Sequence, residues 1–182
     1  MKRNTILILL TFICLTGTAQ KYYTKNGKVS FFSKATLENI KADNNQVTST
    51  LNTQSGELLF SLLTNAFHFE KALMEEHFND DYIESAKYPR ATFKGAIINI
   101  SAVTADKDGT YNVTVTGDLT IHGVTKNIST TGTITVSGGK LAASSVFTVK
   151  LKDYNISIPS AVRNNIAESV QLTVSCNYEK RS

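Results

Sequence analysis

The stretch TYNVTVTGDLTIHGVTKNISTTGTITV, residues 110–136, decides the fold. Tyr111, Val113, Val115, Leu119 and Ile121 recur at every second position, and Asn112, Thr114, Thr116, Asp118 and Thr120 take the alternate ones. That is the period of a β-strand with one face buried and the other wet. At His122-Gly123 the alternation stops for two residues and resumes at Val124. A two-residue hairpin requires positive φ at both central positions, which glycine adopts freely and histidine tolerates better than a β-branched residue. The segment therefore predicts two long antiparallel strands, 110–121 and 124–136, joined by a tight turn.

The same alternation extends outward in both directions. Leu141, Phe147, Val149 and Leu151 repeat it, as do Val170, Leu172, Val174, Cys176 and Tyr178. Further strands are predicted at 28–33, 57–67 and 90–100, with hairpin-type connections at ADKDG (105–109) and SGG (137–139). Within EKALMEEHFNDDY, residues 70–82, apolar and aromatic residues at 73, 74, 78 and 82 follow a three-to-four spacing, which predicts one short helix ended before Pro89. The region 35–55, with its polar run KADNNQVTSTLNTQS, holds either one or two further edge strands or a loop. Seven or eight long antiparallel strands protect their edges most simply by closing. The expected fold class is all-β with one short helix, an antiparallel barrel of about eight strands.

Lys2 and Arg3 precede an apolar run, Ile6 to Leu15, which ends in Gly17-Thr18-Ala19. This reads as a secretory signal peptide, residues 1–19, with cleavage after Ala19 and a single domain over 20–182. Cys14 follows the bulky Ile13 where lipoprotein processing wants a small residue, so no lipid anchor is expected. Loss of Lys2 and Arg3 takes the formal net charge from +4 to +2. The remaining basic residues are scattered singly, which argues against a nucleic-acid partner. One cysteine, Cys176, remains, so the core rather than a disulfide must hold the domain. No later run is long enough for an integral membrane helix. The expected location is periplasmic or secreted.

Gly95, Gly117, Gly132, Ala143 and Ser145 share strand parity with large apolar neighbours. Small inward residues leave room for a ligand, although the same interleaving can fit side chains to the taper of a filled barrel. If the space is empty, Gly117→Phe should fill it. The lumen wall would carry Phe93, Tyr111, Val113, Val115, Gly117, Leu119 and Ile121, with Phe147, Val149, Leu172 and Val174 opposite. Thr110 to Ile121 spans about 40 Å at roughly 3.3 Å per residue, or about 30 Å along a barrel axis inclined by some 40° to the strands.

The segment ALMEEHFNDDYIESAKYPRATFKG, 72–95, followed by GDLTIHGVTK, 117–126, resembles the YceI-like family of exported bacterial proteins, and its Bacteroidetes members most. The tail DYNISIPSAVRNNIAESVQLTV, 153–174, is similar to the family's last loop and strand, so the resemblance runs from about Lys28 to Tyr178. KATLENIKADNNQ, 34–46, departs from the Gly-rich strand that members often carry after the first hairpin. The resemblance implies an extended lipocalin-like barrel with a long apolar lumen that holds an isoprenoid lipid, a quinone tail or polyprenyl derivative. No other cofactor is implied.

No catalytic or metal site emerges. His122 is read first as a hairpin residue and second as a head-group contact at the barrel mouth; on the first reading His122→Asn should be close to neutral. His77 and Asp81 share a helical face, but no third metal ligand stands nearby, and His68 between Phe67 and Phe69 has less support still. There is neither a G-x-S-x-G elbow nor a phosphate loop. Cys176 faces inward as a small apolar residue. The N-x-S/T triplets at Asn112, Asn127 and Asn155 read as chance. The expected function is binding and sequestering an isoprenoid-type lipid outside the cytoplasm, without enzymatic chemistry. The alternative is a closed structural or interaction barrel with no ligand, such as an envelope stress-response protein. Transport, storage and stress protection fit equally well, as does a homodimer.

Overall fold

The computed structural model describes residues 21–181. The leader 1–19 and its cleavage site lie outside them. The strands are β1 (Lys21–Lys34), β2 (Asn39–Asn52), β3 (Glu57–Leu63), β4 (His68–Phe69), β5 (Arg90–Ile97), β6 (Gly109–Ile121), β7 (Val124–Ser137), β8 (Lys140–Lys150) and β9 (Ser169–Lys180). They pair in the order β1-β9-β8-β7-β6-β5-β3-β2, and β1 pairs again with β2. The result is a closed eight-stranded antiparallel barrel in which β4 continues the edge of β3 along β2.

The β6–β7 hairpin forms at the position expected, with Ile121 opposite Val124. His122 and Gly123 have φ of 50° and 71°, the left-handed pair that such a turn demands. The polar run 41–55 resolves into β2. Its face pattern is hidden by a bulge: Val47 pairs with Gly27 and Asn44 with Val29, so one extra residue in β2 resets the alternation. Asn44 is fully buried there, donating from Nδ2 to the Leu63 carbonyl at 2.9 Å and accepting the Gln46 N–H at 2.9 Å.

The strand expected over 57–67 is shorter. A 3₁₀ turn at Thr64–Ala66 interrupts it, because Thr64 leaves the ladder to bond Tyr88 and Pro89: its hydroxyl donates to the Tyr88 carbonyl at 2.9 Å and its N–H to the Pro89 carbonyl at 3.0 Å. The helix α1 runs over Ala72–His77 and continues as a π-turn over Phe78–Tyr82. Phe78 anchors it in a nest of Phe31, Phe67 and Phe69, at ring-centroid distances of 5.6, 5.7 and 5.1 Å. Leu73, expected on the apolar face, is instead 61% exposed, since the face through Met74, Phe78 and Tyr82 meets the barrel.

Strand direction divides the barrel into two ends. The lower end carries both described termini and the turns at 53–56, 98–108 and 138–139, and the upper end carries α1, the hairpin at His122 and the loop 151–168. The lower end is solid. Tyr22, Val136, Leu141, Cys176 and Tyr178 are each 3% exposed or less and belong to one apolar cluster. The tyrosines there satisfy their hydroxyls internally: Tyr178 shares a 2.7 Å hydrogen bond with the Ser49 hydroxyl, and Tyr111 lies 2.9 Å from the Lys107 carbonyl.

Candidate functional site

Above this floor the barrel is hollow. A cavity of about 660 Å³ begins at Leu51, Ile97, Val113 and Ile134 and rises to the helix end. Its size lies within the roughly 300–1,000 Å³ typical of small-molecule sites. The wall is built by the inward parity of β5 to β9. Phe93, Val113, Val115, Leu119 and Ile121 line one side. Phe147, Val149, Leu172 and Val174 line the other. The first pair of strands, whose inner face was only partly legible, adds Val29, Phe31, Val47 and Leu51.

Two of the expected wall residues stand elsewhere. Tyr111 belongs to the floor, where its hydroxyl is engaged by loop carbonyls. Gly117 faces Gly95 across the β5–β6 ladder, and the space left by both is already occupied: a Cβ at either would meet the opposite backbone and, at 2.8 Å or less, Cζ of Phe93. The two glycines therefore make room for the Phe93 ring and for close strand approach, not for a ligand. Gly117→Phe cannot act as a simple plug. The remaining small residues, Gly132, Ala143 and Ser145, do border the cavity.

The upper rim carries the polar groups. Glu38, His77, Asp81 and Asn165 border the cavity there, and neither Lys nor Arg lines it. Lys71 Nζ bonds Glu38 Oε1 at 2.8 Å, which holds the Glu38 carboxyl below its ordinary range and raises the Lys71 ammonium. His77 Nδ1 and Asp81 Oδ2 are 2.7 Å apart, both side chains more than half exposed. His68 is exposed, 3.6 Å from Glu75. Among the described residues no three or more His, Cys, Asp or Glu side chains converge as a metal site would need.

His122 does more than turn a hairpin. Its ring is 9% exposed, with Nδ1 3.0 Å from the Tyr154 carbonyl and Nε2 2.7 Å from Glu84 Oε2. The Tyr88 ring packs edge-on against it at 4.4 Å. These partners bind the hairpin to the segment after α1 and to the 3₁₀ turn Leu151–Tyr154, and they leave neither nitrogen for a ligand's head group. They are 32 and 38 residues away in the chain, so no local signal in the sequence marks them.

Cys176 sits at the floor, where burial pushes its thiol up to about 11. Burial likewise pushes the Tyr178 phenol well above its ordinary value. Both are held neutral, which suits packing and removes the thiolate that nucleophilic chemistry would need.

A family model described as YceI-like domain matches residues 21–178. No curated protein sequence matches the chain. Among solved structures, a polyisoprenoid binding domain from Saccharophagus degradans implicated in plant cell wall breakdown superposes with a TM-score of 0.77 at 17% identity, covering 90% of this chain and 99% of that one. BcnA of Burkholderia cenocepacia gives 0.68 at 19% identity over 84% and 96% of the two chains. The Campylobacter jejuni YceI protein gives 0.60 at 20% identity over 80% and 87%. At these identities the likeness concerns the fold.

Proposed function

Because the chain belongs to the YceI-like domain family, we propose that its upper lumen binds and sequesters an isoprenoid-type lipid outside the cytoplasm. The observation that carries this reading is the blind apolar cavity between the tyrosine floor and the helix end. The work of binding is transfer of hydrocarbon out of water, worth about 0.8 kcal/mol per buried CH₂ and so roughly 4 kcal/mol for the five carbons of an isoprene unit. No reacting group is needed for this, and the site presents none that is activated.

The cavity favours a carrier over a barrel closed by its own side chains. It occupies only the part of the barrel from Val113 upward, about 20 Å of axis at roughly 3.3 Å per residue and a tilt of some 40°. A ligand longer than that must fold back or extend beyond the rim. The reading of residues 1–19 as a cleaved leader supports export, and Gln20 as the mature N-terminus would establish it. The binding claim is tested by extracting lipid from protein purified without detergent and analysing it by mass spectrometry. The expected result is a homologous series spaced by isoprene units; a protein that is empty and takes up no added geranylgeraniol would refute it.

A further inference from the structure

The barrel wall has a gap. β7 pairs with β6 over its whole length, from Gly109↔Val136 to Ile121↔Val124, and β8 pairs with β9 from Leu141↔Tyr178 to Lys150↔Ser169. Between themselves, β7 and β8 pair only from Ser137↔Lys140 to Gly132↔Ser145. Above that level residues 124–131 of β7 and 146–150 of β8 face one another with no ladder between them. The last link is a side chain: Ser145 Oγ donates to the Thr131 carbonyl at 2.7 Å.

The chain itself closes the top of this gap. The 3₁₀ turn Leu151–Tyr154 crosses from the end of β8 to the β6–β7 hairpin, where the Tyr154 carbonyl holds His122. What remains is a window with Gly132 and Ser145 as its sill. The cavity reaches it. Ile128 and Thr130 of β7 and Phe147 of β8 border the cavity at the window, and so do Thr133 and Ser144, a cross-strand pair whose parity points them out of the barrel.

The two openings differ in what must break for a chain to pass. At the upper rim α1 and the loop 159–166 are clamped: Lys71 bonds Glu38 at 2.8 Å, Leu37 N–H donates to the Asn164 carbonyl at 2.9 Å, and Ala167 N–H donates to the Ser33 hydroxyl at 3.0 Å. The rim also presents two carboxylates, Glu38 and Asp81, to an arriving hydrocarbon. The window needs no ladder bond broken, and the residues that border the cavity there, among them Ile128, Thr130, Ser145 and Phe147, are apolar or carry hydroxyls, while Lys126 and Lys150 stand on the exposed strand segments above them. Outside it, Val146 is 51% exposed.

We propose that an isoprenoid chain enters and leaves the lumen sideways, through the window between β7 and β8, while the helix end stays shut. This rests on the isoprenoid reading of the lumen. It predicts that exchange rates respond to the width of the window and ignore the clamps on the helix.

The test uses the full mature chain and a geranylgeraniol ester of anthranilic acid as a fluorescent probe. Thr131→Cys and Val146→Cys, both exposed positions outside the cavity border, are joined by a short methanethiosulfonate cross-linker that dithiothreitol reverses. Cys176 is buried and does not compete. Closing the window should slow both uptake and release by about ten-fold or more without changing affinity, as a gate does, and reduction should restore them. Lys71→Gln, which frees the helix clamp, should leave the rates as they are. Unchanged rates in the cross-linked protein, or faster exchange in Lys71→Gln, would overturn the inference while leaving the lumen reading intact. A wild type that takes up no probe would overturn both.

Discussion

Tyr178 and Leu172 stand on the same face of β9, six residues apart, and end in different surroundings. Tyr178 is buried in the floor with its hydroxyl on Ser49, whereas Leu172 borders the open cavity. The two ends of the barrel share strands, pairing and alternation, so neither periodicity nor topology distinguishes them. What distinguishes them is whether the inward side chains of a level meet at the barrel axis. Three tyrosines, 22, 111 and 178, converge on the floor together with Val136 and Leu141. At the levels above, valine, isoleucine and leucine share the wall with rings such as Phe93 and Phe147, and the centre stays empty. Sealed packing and a binding lumen are thus two fillings of one scaffold.

The largest effect should come from removing a floor ring. Tyr178→Ala should cost about 3–5 kcal/mol, as truncations of large aromatic residues in a packed core do. Leu172→Ala should cost about 1 kcal/mol or less in the ligand-free protein, because its side chain already borders empty space. Urea denaturation of both variants compares them directly. Equal losses would mean that the upper end is packed as tightly as the lower.

Next comes overpacking. Gly117→Val places carbon against the Gly95 backbone and the Phe93 ring and should cost about 1–3 kcal/mol or more. Val115→Phe, directed into the lumen two residues away, should leave stability nearly unchanged and reduce bound lipid. Thermal melts and lipid analysis of the pair sharpen the contrast within a single strand.

His122→Asn should cost about 1–2 kcal/mol, since it keeps the turn and abandons the bonds to Glu84 and the Tyr154 carbonyl. A neutral substitution, measured by chemical denaturation, would reduce His122 to the hairpin role that the sequence suggests.

The smallest effects should appear on titration, with opposite signs at the two ends. The Cys176 thiol is raised from 9.0 to about 11 on folding, so its contribution is complete below pH 9 and is lost as pH rises through that interval. Cys176→Ala should flatten the alkaline fall in urea midpoint. Glu38 is held low by Lys71, so its contribution is present above its ordinary value of 4.5 and fades as pH falls. Lys71→Gln should remove that acid-side dependence alone.

Much of the barrel was legible because β6 to β9 alternate without interruption. β2 was not, since its bulge shifts the inward set from Ile40, Ala42 and Asn44 to Val47, Ser49 and Leu51, two of them polar. The wall positions on β6, β8 and β9 follow from parity, but parity cannot say at which level a lumen stops. It therefore placed Tyr111 in the cavity with Val113. It also counted Gly95 and Gly117 as empty space, because the Phe93 ring that covers them reaches sideways along its own strand. The helix clamp, the tie at His122 and the break between β7 and β8 depend on contacts between distant segments, which no local pattern encodes.

The central claim is that lipid occupies the upper lumen and stops at the tyrosine floor. A geranylgeraniol analogue with a diazirine in its chain, photolysed in the mature protein and mapped by peptide mass spectrometry, tests it most directly. The account predicts one adduct per protein on wall residues such as Phe93, Val115, Phe147 and Leu172, with Tyr22 and Tyr178 unlabelled. Adducts on the floor tyrosines, or only on the outer faces of the strands, would contradict it.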